Sequence, residues 1–161
     1  MHKPLENYAF IDGQNLHKSL LEEGLGLDFE RFRIYLKEKY RVGKAYVFIG
    51  YLERYQHIYN LLESAGFTLV FKHSINETKI GEIKGNCDVE LALQVMIDWN
   101  HYQKAILVSG DSDFCCVIAH LMKHQKLAKV LAPTHQSCSY FVRKLAKEKV
   151  VYVSNIPAVL R

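Results

Sequence analysis

Proline is scarce in this chain of 161 residues: there are three, beside nine glycines. So thin a supply excludes collagen-like repeats, Pro-rich spacers and Gly-rich linkers. No apolar run approaches the roughly 18 residues that cross a bilayer, so no membrane partner is expected. The opening Met-His-Lys-Pro-Leu-Glu-Asn carries charge where an export signal needs its apolar stretch. The four cysteines, Cys87, Cys115, Cys116 and Cys138, lack CxxC spacing. Adjacent Cys115 and Cys116 would point apart on either a helix or a strand, which makes a poor chelate. They are read as buried, reduced thiols of a cytoplasmic protein. The eight His are read as scattered, with no zinc site among them. A GxxxxGK[ST] phosphate loop and a Ser/His/Asp or Cys/His nucleophile motif are both missing, which disfavours NTP hydrolysis and covalent catalysis.

What the chain does have is core material. Half of it is hydrophobic (49%), and ten Tyr, eight Phe and one Trp supply large buried surfaces. That composition excludes intrinsic disorder, and the length fits one domain spanning residues 1–161. The net charge is +4, yet only six residues are Asp, and four of those, Asp12, Asp88, Asp111 and Asp113, fall in the motifs below. The rest of the chain is correspondingly more basic. A basic body around a small acidic focus suits a metal-dependent enzyme acting on a polyanion.

Short apolar runs recur at Tyr8–Ile11, Ala45–Ile49, Phe67–Phe71, Ala105–Val108, Ala128–Leu131 and Val150–Val153. Each reads as a buried strand. Helical patterns lie between them: one carrying Leu16, Leu20 and Leu21, one capped by Asp28, and one from about Arg54 to Ser64 closed by Gly66. Others run from Asp88 to Trp99, from about Ser112 with Cys115, Ile118, Ala119 and Met122 on its core face, and from Ser137 to Lys147. The Asp88–Trp99 stretch is apolar almost all round, with Glu90, Gln94 and Asp98 on one stripe expected to face water. Strand and helix alternate throughout, which predicts an α/β fold with a mainly parallel central sheet between helical layers. Between His73 and Asn86 the pattern lapses, as in a functional or mobile loop.

In such sheets ligands collect at the carboxyl ends of the strands. Asp12 ends the first strand; Ser109-Gly110-Asp111-Ser112-Asp113 follows the fourth; Asp88 begins a helix. Each Asp taken alone has an ordinary alternative as a turn-former or helix cap. Gathered at one rim, however, the carboxylates would repel one another and take up protons unless a cation relieved them. Hard oxygen donors without nearby His or Cys favour Mg²⁺ or Mn²⁺. Lys84, beside Gly85, is the leading candidate for phosphate contact, with Lys72, His73 and Lys79 behind it. Tyr51, Tyr55 and Tyr59 have a spacing that suits packing better than base stacking.

Three blocks carry a family resemblance: Phe10-Ile11-Asp12-Gly13-Gln14-Asn15, Lys84-Gly85-Asn86-Cys87-Asp88-Val89-Glu90-Leu91-Ala92, and Leu107-Val108-Ser109-Gly110-Asp111-Ser112-Asp113-Phe114. Together they resemble the signature blocks of NYN domains, in the LabA-like branch of the PIN-like nuclease superfamily. The resemblance spans residues 7 to 153. It implies a three-layer PIN-like fold and ribonuclease chemistry, with Asp12, Asp88, Asp111 and Asp113 as catalytic metal ligands. It also implies that Asn15 supports the site; Ser109 and Ser112, in the third block, are further candidates for substrate contact. The expected partner is RNA, single-stranded or structured, and a homo-oligomer is left open. Two positions depart from the family pattern: Gln94 and Lys147 stand where relatives often carry an acid. An RNA-binding or adaptor module with a vestigial acidic site is the rival reading. A phosphatase with a nucleophilic Asp fits the paired DSD less well.

Overall fold

The computed structural model describes residues 3–72 and 86–161. Within them six strands form one sheet: β1 (Asn7–Asp12), β2 (Val42–Ile49), β3 (Thr68–Phe71), β4 (Ala105–Val108), β5 (Leu127–Ala132) and β6 (Val150–Tyr152). Their order is β3-β2-β1-β4-β5-β6, and every neighbouring pair is parallel. Six α-helices accompany them: α1 (Gly13–Glu22), α2 (Phe29–Tyr40), α3 (Gln56–Ser64), α4 (Asp88–Ile97), α5 (Cys115–Lys123) and α6 (Tyr140–Ala146). The three-layer α/β arrangement expected from the sequence is present.

The pleat sorts the core into two clusters. Ala9 and Ile11 of β1, with Ile106 and Val108 of β4, meet Leu16, Leu20, Phe32, Leu36 and Leu62 of α1–α3. Phe10 and Leu107 face the other way, onto Leu91, Val95, Ile118, Leu121 and Val142 of α4–α6. Alternate residues of a strand project to opposite faces, so near-continuous apolar runs are what a sheet covered on both sides requires. Asp28 caps α2 by accepting from Arg31 N–H at 3.0 Å, as expected.

Helix α4 reverses the expectation for its faces. Gln94 and Asp98 turn inward, where Tyr46 donates its hydroxyl to Asp98 Oδ2 and Gln94 Nε2 donates to the same atom at 3.1 Å. Asp98 is buried, whereas Val89, Leu93, Met96 and Ile97 are exposed. The physical reason is the tyrosine on β2: its buried hydroxyl needs an acceptor, and the carboxylate supplies one. Smaller corrections concern helix ends. The helix after Asp111 begins as a 3₁₀ turn (Ser112–Phe114), Ala119 lies exposed, and Ile118 and Leu121 make the inward face. Helix α6 starts three residues late because Thr134 and Ser137 form their own turn, with Thr134 N–H donating to Ser137 Oγ at 3.1 Å and Ser137 N–H to Thr134 Oγ1 at 3.0 Å.

Candidate metal centre

The strand order reverses direction between β1 and β4: the chain steps outward one way from β1 through β2 and β3, and the other way through β4 to β6. Crossovers therefore leave these two central strands toward opposite faces and open a crevice beyond their carboxyl ends. Asp12 is the last residue of β1, and Asp111 stands three residues after β4. The first residue of α4, Asp88, comes to the same rim. One carboxylate oxygen from each of Asp12, Asp88 and Asp111 lies within 4.8 Å of the others.

Neutral donors hold the cluster. Asp12 Oδ1 accepts from Asn15 N–H at 3.2 Å, and Asp12 Oδ2 accepts from the Ser109 hydroxyl at 3.2 Å. Asn15 returns across the crevice: its Oδ1 accepts from Gly110 N–H at 3.1 Å and lies 3.4 Å from Ser109 Oγ. Asp111 N–H donates to Ser109 Oγ at 3.1 Å, and Asp113 N–H donates to Asp111 Oδ1 at 2.9 Å. The end of β1, the start of α1 and the turn after β4 are thus one hydrogen-bonded unit. Glycine is required twice. A Cβ at Gly13 would come within 2.2 Å of Ile49 Cγ2, and one at Gly110 within 2.7 Å of Ser137 O and 2.9 Å of Cys138 Cα.

The electrostatics are those of crowded like charges. Burial, followed by the charges of Asp12, Asp111 and Asp113, pushes Asp88 from the usual 3.8 up to about 6. Asp12 is also raised, chiefly by burial, with partial relief from Asn15 and Ser109 and a further push from Asp111. Three hard carboxylates crowded at one rim suit a divalent cation and offer it no soft donor. Asp12, Asp88 and Asp111 are the residues that would hold it.

Of the other predicted residues, Asp113 is exposed and lies outside the close cluster, yet its charge is among those that raise Asp88. Asn15 and Ser109 are in the unit; Ser112 is exposed on the turn between the two acids. Lys84 falls outside the described residues, as do His73 and Lys79. Lys72 Nζ donates to Asn86 O at 2.8 Å, and Asn86 Oδ1 accepts from Asp88 N–H at 2.9 Å. Lys72 and Asn86 therefore set the start of α4, a role that sequence reasoning missed. The signal was available in an Asn two residues before a helix-opening Asp, the spacing of an Asx turn. Gln94 is engaged with Tyr46 and Asp98, and six residues along α4 put it roughly 9 Å from Asp88. An acid there would not join the three, so its absence does not open the cluster.

Two other expectations need revision. Cys116 is exposed and Cys115 half-buried, while Cys87 and Cys138 are buried; burial pushes the Cys87 thiol up to about 11. The histidines do include a pair at helical spacing. His120 of α5 and His124, the residue that follows the helix, sit four apart with ring centroids 4.6 Å apart, both against Trp99. Among the described residues no third ligand makes them a metal cluster. Of the three tyrosines expected to pack, Tyr59 is buried, its hydroxyl donating to Gly50 O at 3.1 Å and accepting from Leu52 N–H at 2.9 Å. Tyr51 is exposed although its ring centroid lies 5.6 Å from that of Tyr59, and Tyr55 is exposed.

An all-parallel sheet whose reversal point carries three convergent carboxylates defines an α/β protein with an acidic, cation-ready centre. Residues 8–151 match the NYN domain, and the chain belongs to that family, which is generally one of nucleases. A solved structure of a protein of unknown function from Vibrio parahaemolyticus RIMD 2210633 is similar over 100% of this chain and 99% of its own, with a TM-score of 0.80 and 20% identity. At that identity the likeness is one of fold. No curated protein matches the chain.

Proposed function

We propose that this chain is a metal-dependent ribonuclease of the LabA-like branch, hydrolysing RNA phosphodiester bonds at Asp12, Asp88, Asp111 and Asp113. The observation that carries the reading is the approach of Asp12, Asp88 and Asp111 oxygens to within 4.8 Å of one another at the reversal point of the sheet. When bound there, Mg²⁺ or Mn²⁺ supplies Lewis acidity toward a phosphodiester and toward water. The chain's own contribution is positioning. Asn15 and Ser109 fix the Asp12 carboxylate and the turn after β4, so both reach the crevice in one geometry. Asp113, beside Asp88, completes the acidic edge, and Ser112 presents its hydroxyl to incoming RNA. Lys84 pairs with substrate phosphate. The working location is the cytoplasm.

The direct test incubates a labelled mixed-sequence single-stranded RNA with the protein in EDTA, Mg²⁺ or Mn²⁺. Cleavage that requires a divalent ion and falls at least about 100-fold in Asp111→Asn is the expected result. Tight RNA binding without cleavage under any ion would favour the vestigial binding module instead.

A further inference from the structure

Helix α6 begins at the same rim as the carboxylates, because it follows the carboxyl end of parallel β5. Its approach to the site is fixed by backbone: Ser139 N–H donates to Gly110 O at 2.9 Å, one residue before Asp111. From that bond and standard backbone dimensions, the Cα atoms of Asp111 and Tyr140 are at most roughly 11 Å apart. Val142 and Ala146 point into the core and anchor the helix. The first turn is left outside, and it carries two large rings, Tyr140 (60% exposed) and Phe141 (65% exposed).

Single exposed aromatics need no explanation, but these two are adjacent, edge-to-face at 5.8 Å between centroids. They also stand in a basic setting. Lys144 Nζ lies 6.0 Å from the Tyr140 ring centroid, and Tyr140–Ala146 contains Arg143 and Lys144 but no acid. Arg143 donates to the carbonyls of His135 and Cys138, which braces the loop leading into the rings. By contrast, the exposed apolar face of α4 is aliphatic (Val89, Leu93, Met96 and Ile97) and offers no stacking surface.

We propose that Tyr140 and Phe141 form a stacking platform for an unpaired base of the RNA strand whose phosphate lies at the carboxylates, with Lys144 countering the neighbouring backbone charge. The platform rests on the ribonuclease reading for its substrate. It adds to that reading a preference for single-stranded over fully paired RNA, since a paired base keeps its faces inside its own stack. Aromatic rings accept any base, so the platform gives strand selectivity with little sequence selectivity.

The experiment measures binding of a labelled mixed-sequence RNA decamer, and of its duplex, to the full chain in EDTA by fluorescence anisotropy. Wild type is compared with Tyr140→Leu, Phe141→Leu and Phe141→Trp, and sedimentation is run on each. Each Leu variant is expected to bind the single strand at least about 5-fold more weakly, the lower end of what one base–aromatic stack contributes. Phe141→Trp restores binding, and duplex affinity is unchanged throughout. Equal single-strand affinity in wild type and both Leu variants overturns the platform, as does failure of wild type to bind the single strand. A wild-type dimer that the Leu variants dissociate, with RNA affinity unchanged, also overturns it and makes the rings a self-association face. The ribonuclease reading fails separately: stacking-dependent binding with no cleavage in Mn²⁺ leaves the platform standing and removes the activity.

Discussion

Replacing Asp88 by Asn removes one charge from the crowded rim while keeping nearly the same shape, and the consequence depends on pH in a definite direction. In the folded chain Asp88 titrates near 6, driven up by burial and by Asp12, Asp111 and Asp113, against 3.8 for an unhindered Asp. Between those values the folded state holds a proton that the unfolded state has released. Stability of the metal-free wild type therefore falls as pH rises through that window, and the loss is complete above about 6. The rise from 3.8 to about 6 sets a ceiling of about 3 kcal/mol. Asp88 is only half-buried, and solvent screening reduces this to about 1 kcal/mol. Asp88→Asn escapes the loss, so relative to wild type it should gain about 1 kcal/mol between pH 4 and pH 7.5. At this chain length that is a relative rise in Tm of about 2–4 °C. Melts in EDTA at the two pH values read it, and the double difference cancels everything Asn changes apart from ionisation. Millimolar Mg²⁺ at pH 7.5 should reverse the order, because a ligand that binds only the folded state stabilises it by mass action. A Tm difference that does not move with pH would refute the coupling of the carboxylates. A wild type indifferent to Mg²⁺ and Mn²⁺ would refute the cation site.

Two further substitutions probe how the rim and the core are held. Tyr46→Phe removes the hydroxyl that donates to buried Asp98, and should cost about 1–3 kcal/mol in denaturant unfolding with the m-value unchanged. Gly110→Ala places a methyl within 2.7 Å of Ser137 O and 2.9 Å of Cys138 Cα, both backbone atoms. It should destabilise by about 1–3 kcal/mol and lower RNA cleavage by displacing Asp111; unaltered stability and activity would mean that the turn after β4 is not seated against the α6 loop.

Much of this fold was legible because the signals were redundant. All six strands announced themselves as apolar runs, since a parallel sheet covered on both faces has no polar alternation to blur them. The rim was legible for a different reason: Asp12 and Asp111 each follow such a run, and parallel strands end on the same side. Asp88 was harder, because a helix-opening Asp reads equally well as a cap; in the structure Cys87 is the residue before the helix, and Asp88 is left to the cluster. What stayed hidden was side-chain direction on α4. Composition placed Gln94 and Asp98 on a wet stripe, and nothing local in the sequence revealed that Tyr46, 52 positions from Asp98, would draw them inward. Long-range hydrogen bonds of that kind are settled by which strands become neighbours.

The same principle explains how this chain tolerates its carboxylates before any ion arrives. Asp12 belongs to β1 and Ser109 follows β4, 97 positions apart, and only the reversal of strand order makes those strands adjacent. Their adjacency lets one hydroxyl serve both sides of the crevice, donating to Asp12 and accepting from the Asp111 amide. Asn15 does the same from α1, its backbone amide on Asp12 and its side-chain carbonyl on Gly110 N–H. Each donor lowers the cost of an ionised Asp12 without contributing a positive charge that would compete with a cation. A lysine in place of either would stabilise the empty rim more and fill it with its own ammonium. Neutral donors instead leave the negative charge only partly compensated. Asp88, raised by burial first and then by its acidic neighbours, is where the uncompensated part appears.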